Sequence, residues 1–211
     1  MNSDAELYAF LIFQMNSAIV DIREQFPLLP ILDTIQISKE LNIKHPPRYK
    51  KMDDDKYVMT SDFNLLVKDD DGFKEIVRAI KTEDDYQDER TKEKLLLEKE
   101  YWQRRNVDWG LIIHSEKSIT IGRNIYSIYN DFFWDKKMGF NDDYIRILIY
   151  NFIDFLIKYD MNIIKTKNYF EKYMEWEVGE GLNFFKYLLT HKIIKTDFTK
   201  KFNYDNMYVW L

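Results

Sequence analysis

The chain contains no cysteine, which excludes a disulfide framework, a thiolate zinc site and a cysteine nucleophile, and agrees with a reducing cytoplasm. Histidine is scarce: His45, His114 and His191 stand far apart without the paired spacing of metal ligands, so each is read as a structural residue and no zinc site is expected. Glycine is sparse as well. Gly179-Glu180-Gly181 has too few glycines, and no following Lys-Ser or Lys-Thr, to cradle phosphates, so no nucleotide site is expected. No run approaches the roughly 20 consecutive apolar residues needed to cross a bilayer. The opening MNSDAELYAF lacks the basic segment of a secretion signal. A soluble, cytoplasmic protein without membrane contact is the expectation. There is also no basic excess. With 31 Lys and Arg against 36 Asp and Glu, the net charge of −5 argues against strong nonspecific DNA binding, which grows with the number of phosphate contacts.

What is present is core material: 45% of the 211 residues are hydrophobic and 17% aromatic. This length suits two small domains, divided by a change of texture as 1–120 and 121–211. Ser3 and Glu6 have capping-box spacing ahead of Leu7, Phe10, Leu11 and Met15 on one helical face. Ile19 to Phe26 reads as extended, and Asp33 is placed to cap a short helix ending at Leu41, before Pro46 and Pro47. Alternation through Phe63, Leu65 and Val67, then Asp71-Gly72, then Phe73 to Lys81, predicts a hairpin. A charged helix from Gln87 to about Asn106, with an apolar stripe at Leu95, Leu96, Tyr101 and Trp102, leads to a strand from Trp109 to Ile113. That order favours an α/β core.

The second half reads as helices at Asp142 to Tyr159, Lys167 to Trp176 and Glu180 to Thr190. Short strands at Lys192 to Lys195 and Met207 to Leu211 follow. Three helices and a hairpin form the winged-helix pattern, in which the third helix enters a major groove. A helical domain that binds only protein gives the same pattern, and both readings stay open here. The aromatic residues Tyr169, Phe170, Tyr173, Trp176, Phe184, Phe185 and Tyr187 have helical spacing and are read as core rather than as base-stacking platforms.

The pattern that bears on chemistry is Asp62 on one hairpin strand, Lys81 on the next and Glu6 on the preceding helix. A hard cation needs oxygen ligands, which Glu6, Asp62 and the backbone carbonyl of Ile80 can supply. Lys81 can orient an attacking water or offset charge on phosphoryl oxygens. Lys44, His45, Arg48, Lys50 and Lys51 form the basic cluster best suited to phosphate contact, with a solvated loop as the alternative.

Asp62 followed by Ala79-Ile80-Lys81 is similar to the D…xxK core of restriction-endonuclease-like (PD-(D/E)xK) proteins. Four ordered blocks, DIREQFPLLP at Asp21 to Pro30, IKHPP at Ile43 to Pro47, MTSDF at Met59 to Phe63 and QDERTKEKLLLEKEYWQ at Gln87 to Gln103, resemble the TnsA family. The resemblance implies an α/β restriction-endonuclease-like catalytic domain followed by a mainly helical, winged-helix-like domain. It implies a Mg²⁺-dependent DNA endonuclease, with Mn²⁺ able to substitute, that hydrolyses the 5′ strand at transposon ends. Its catalytic glutamate falls on Glu6, its metal-binding aspartate on Asp62 and its lysine on Lys81. The implied partners are double-stranded DNA at transposon ends, a TnsB-like integrase subunit and a TnsC-like ATP-dependent regulator. Glu98 matches a further acidic position, although on so polar a helix it is expected to face solvent. Ala79 departs from the family, which has an acidic or amide side chain there. The alternatives are a stand-alone defence nuclease and a weakened TnsA-like protein that bridges partners.

Overall fold

The computed structural model describes residues 3–49 and 52–211. The chain divides into two compact units, Met1–Ile119 and Thr120–Leu211. In the first, the elements are α1 (Asp4–Gln14), β1 (Ile19–Pro27), α2 (Ile31–Glu40), β2 (Pro47–Tyr49), β3 (Met52–Lys56), β4 (Thr60–Asp69), β5 (Gly72–Thr82), α3 (Glu83–Gln87), α4 (Glu89–Gln103) and β6 (Asp108–His114). Four strands form one sheet in the order β1-β4-β5-β6, while β2 and β3 make a separate hairpin.

The sheet is mixed because of its connections. β4 and β5 are antiparallel, joined at Asp69↔Gly72, where Gly72 adopts φ 125°, a conformation open to glycine. β6 instead runs parallel to β5, with Lys81↔Ile113 in register, because α3 and α4 carry the chain back across the sheet. α1 covers one face with Ala9, Phe10 and Phe13 against Phe63, Leu65 and Ile80. The other face buries Val77, with Phe26 partly buried beside it, under Ile37 of α2 and Leu97, Tyr101 and Trp102 of α4. Fully burying a side chain such as Phe63 or Leu65 contributes about 1.5–3 kcal/mol, so these two layers fix where β4 and β5 lie.

Three local expectations need correction. α2 has Pro30 at its N-cap; Asp33 lies in its first turn and pairs with Arg105 instead of capping. The buried stripe of α4 is Leu95, Leu97, Glu98, Tyr101 and Trp102, whereas Leu96 is exposed. α4 itself begins at Glu89, with the Asp88 carboxylate capping the Thr91 amide at 2.8 Å.

The second unit is mainly helical. It holds most of α5 (Glu116–Tyr129), then α6 (Trp134–Met138), α7 (Asp142–Lys158), α8 (Ile163–Met174), α9 (Glu180–Thr190) and a hairpin of β7 (Lys195–Thr196) with β8 (Val209–Trp210). α8 starts earlier than expected because Asn162 caps the Lys165 amide, and β7 starts later because Lys192 leaves α9 at φ 57°. α9 is the central helix. Phe184, Phe185, Leu188 and Leu189 pack on Phe152, Leu156 and Phe170, and no residue of α9 is exposed, so it has no free face to read a groove. Of the seven aromatic residues read as core, Phe170, Phe184, Phe185 and Tyr187 are buried, while Tyr169 and Tyr173 reach the surface. None of the helices among the described residues is long and apolar enough to cross a membrane.

Candidate active site

The antiparallel ladder between β4 and β5 has its last pair at Phe63↔Arg78. Beyond it, a side chain takes over from the backbone: Asp62 Oδ2 accepts from the Ile80 amide at 2.7 Å. The same oxygen accepts from Lys81 Nζ at 3.0 Å, and that ammonium also donates to the Ile80 carbonyl at 2.7 Å. Lys81 therefore sits between two of the three oxygen donors proposed for a cation. The Asp62 and Lys81 side chains are 14% and 26% exposed, so the pair is sheltered enough to strengthen its attraction yet open to a substrate.

Glu98 is the residue whose surroundings differ most from expectation. It faces inward from α4 and is only 6% exposed. Burial pushes its carboxyl up to about 7, opposed by hydrogen bonding from Ser61 and Trp109; the Asp62 charge raises it further and the Lys81 charge lowers it. Ser61 and Trp109 are close enough to favour the ionised form, yet Glu98 Oε1 and the Trp109 indole nitrogen lack a partner in good hydrogen-bond geometry among the described residues. Ser61 Oγ is held by the Trp102 indole N–H at 2.8 Å. The result is a buried acid within electrostatic reach of both Asp62 and Lys81.

Glu6 is buried at 8% exposure in the first turn of α1, where the Ser3 hydroxyl accepts from its amide at 3.2 Å and donates to its Oε1 at 3.4 Å. Its Oε2 accepts from Gln25 Nε2 at 3.4 Å, and Gln25 Oε1 accepts from the Thr60 hydroxyl at 3.0 Å, which links Glu6 to the start of β4. His114 also steadies this end of α1, with its Nε2 2.7 Å from the Ala5 carbonyl and Nδ1 2.8 Å from the Ser118 hydroxyl. Among the described residues, no three His, Asp or Glu side chains gather as a metal-binding set. The oxygen donors that converge are Asp62 and the Ile80 carbonyl.

The basic cluster is only partly a surface. Lys44 is exposed, but His45 is 4% exposed, with Nε2 2.9 Å from the Thr34 hydroxyl and Nδ1 3.0 Å from the Pro46 carbonyl. His45 thus anchors its loop, which corrects its reading as a DNA contact. The Arg48 side chain, Lys50 and Lys51 lie outside the described residues.

Residues 16–114 match the family described as TnsA-like endonuclease N terminal. Transposon Tn7 transposition protein TnsA from Escherichia coli is 41% identical over 128 residues, covering 61% of this chain and 45% of that protein. The first half of the chain is thus similar to the TnsA family. It spans less than half the length of that TnsA relative. The TnsA-like region includes Asp62, Ala79, Lys81 and Glu98, whereas Glu6 precedes it. Sequence reasoning passed over Gln25 and placed Glu98 at the surface. The available signal for Glu98 was its spacing from Leu95 and Trp102, which puts it on the buried side of α4.

Proposed function

We propose that this TnsA-like chain is the Mg²⁺-dependent endonuclease subunit of a TnsA/TnsB-type transposase, hydrolysing the 5′ strand of double-stranded DNA at transposon ends. In this reading a TnsB-like integrase subunit recognises the ends and processes the 3′ strands, under a TnsC-like ATP-dependent regulator. The observation that carries it is the Lys81 ammonium bridging Asp62 and the Ile80 carbonyl where two hairpin strands part. Asp62 and the Ile80 carbonyl are hard oxygen donors already turned toward one cationic atom, and they fit Mg²⁺ or Mn²⁺; Glu6 would add a third oxygen. Such a cation, when bound, would supply charge neutralisation and Lewis acidity toward the phosphate. Lys81 supplies an ammonium for negative charge developing on the phosphoryl oxygens, and Asp62 orients it. Glu98, with a carboxyl near 7, can take or release a proton close to neutrality.

The test is strand-specific nicking of end-bearing DNA with the integrase partner in Mg²⁺, Mn²⁺, Ca²⁺ and chelator. Cleavage with the first two alone, lost in Asp62→Ala, is the expected result; equal cleavage in chelator contradicts it. A second reading, a TnsA-like bridge without cleavage, is favoured by Ala79, which is fully buried and adds no oxygen beside Lys81. Partner binding without nicking in any metal would select it. Efficient cutting of unrelated DNA by the chain alone would select a stand-alone nuclease.

A further inference from the structure

We propose that Gln25 is a positioning residue that couples Glu6 to Asp62 and sets the direction of the Asp62 carboxylate; this rests on the nuclease reading for its catalytic consequence, though not for its geometry. Glu24 pairs with Phe63 and Phe26 with Ser61, so Gln25 stands directly across from Asp62 on the neighbouring strand. There its backbone takes φ 48°, the left-handed region that non-glycine residues adopt uncommonly, and rarely within a strand. The consequence is visible in β4. Residues two apart on a strand should share a face. Ser61, however, receives the Trp102 indole of α4, while Phe63 meets the Phe13 ring of α1 on the opposite face, with centroids 5.2 Å apart. The alternation breaks at Asp62, and the freed carboxylate turns onto the Ile80 amide and Lys81.

The Gln25 side chain holds this break in place from both ends. An amide has one donor end and one acceptor end. Nε2 meets Glu6 and Oε1 meets the Thr60 hydroxyl, so the same group ties α1 to the start of β4, two residues ahead of Asp62. A carboxylate in its place would set negative charge against Glu6, and an apolar side chain would release both ends. Glycine would accept the left-handed backbone while removing the tie. Gln25→Gly therefore isolates the side chain's role, and Gln25→Glu tests its polarity without changing its size.

The experiment uses the full chain, ¹⁵N-labelled, with Asp62→Ala as the reference for a lost Asp62 hydrogen bond. In Gln25→Gly and Gln25→Glu the Ile80 amide resonance is expected to move toward its Asp62→Ala position, while the Val77 amide, in the regular ladder, stays put. Single-turnover nicking by the same proteins, in saturating complex with the integrase partner, should fall about tenfold to a hundredfold with DNA binding unchanged, as for a slightly misplaced reacting group. An Ile80 amide that overlays the wild-type position in both variants overturns the proposal. A wild-type chain that cannot nick DNA in any metal sinks the nuclease reading instead, and the Ile80 amide still decides whether Gln25 directs Asp62.

Discussion

At the scale of single residues, the candidate site turns on one cation and one buried acid. Lys81 bridges Asp62 and the Ile80 carbonyl, so its ammonium is held ready for a phosphate rather than free in solvent. Lys81→Ala should lower single-turnover nicking by about two to three orders of magnitude, the usual loss for one preorganised contact to developing charge, with DNA binding nearly unchanged. Lys81→Arg should not restore it, because a planar guanidinium on a longer stem places its charge elsewhere. Wild-type rates in Lys81→Ala would remove this residue from the chemistry. Glu98 gives a separate test through stability. Its carboxyl sits near 4.5 in the unfolded chain and is raised to about 7 in the fold, so the folded state binds the extra proton between those values. Its contribution is therefore full below pH 4.5 and is lost as pH rises through 7. Glu98→Gln should remove that decline and gain up to about 3 kcal/mol over the wild type at pH 8, with little difference at pH 4, from the pKa shift alone. Urea unfolding at the two pH values checks this; equal differences at both would show that Glu98 is not a buried acid.

At the scale of elements, the sequence displayed some features because their signals are local. Asp71-Gly72 between alternating runs marks the β4–β5 hairpin, and Ser3 with Glu6 marks the start of α1. That hairpin already sets Asp62 and Lys81 on neighbouring strands, which makes the pair legible in the sequence. Glu98 was not legible, since in a run of Glu, Lys and Leu the buried side of α4 keeps Leu95, Tyr101 and Trp102 of the apparent stripe but takes Leu97 and Glu98 in place of Leu96. Gln25 carried no signal at all: glutamine does not announce a left-handed backbone as glycine or asparagine does. α9 was placed correctly as a helix, but its central position follows from apolar residues on nearly every side, a tertiary property that helical spacing alone does not display. Its N-terminal end is held by Glu171, whose buried Oε1 accepts from the Gly179 and Gly181 amides at 3.0 Å each. A Cβ on Gly181 would lie 2.9 Å from Glu171 Cγ and from the Lys167 carbonyl oxygen. Gly181→Ala should accordingly destabilise the second unit by about 1–3 kcal/mol, as overpacking does. Thermal unfolding followed by tryptophan fluorescence reads this out, and an unchanged transition would mean that α8 and α9 yield easily.

At the scale of the whole molecule, the two units and the charge balance bear on how the proposed cleavage would be controlled. Every residue of the candidate site lies in Met1–Ile119, as do the strands and helices that position it. Residues 1–119 expressed alone should therefore fold cooperatively, which circular dichroism and a sigmoidal urea curve would establish; a chain that stays unfolded would show that the second unit is needed for the first. A net charge of −5 gives the chain little electrostatic grip on DNA, so the nuclease reading requires delivery by a partner, and the isolated protein should cut poorly. The most direct test of the central claim is single-turnover cleavage of end-labelled transposon-end DNA by the full chain with a TnsB-like integrase in Mg²⁺, with Asp62→Ala and Lys81→Ala run beside the wild type. Nicks confined to the 5′ strand at the transposon ends, dependent on partner and metal and lost in both variants without loss of binding, are the predicted result. Five-prime nicks that persist at the wild-type rate in Asp62→Ala and Lys81→Ala would contradict it.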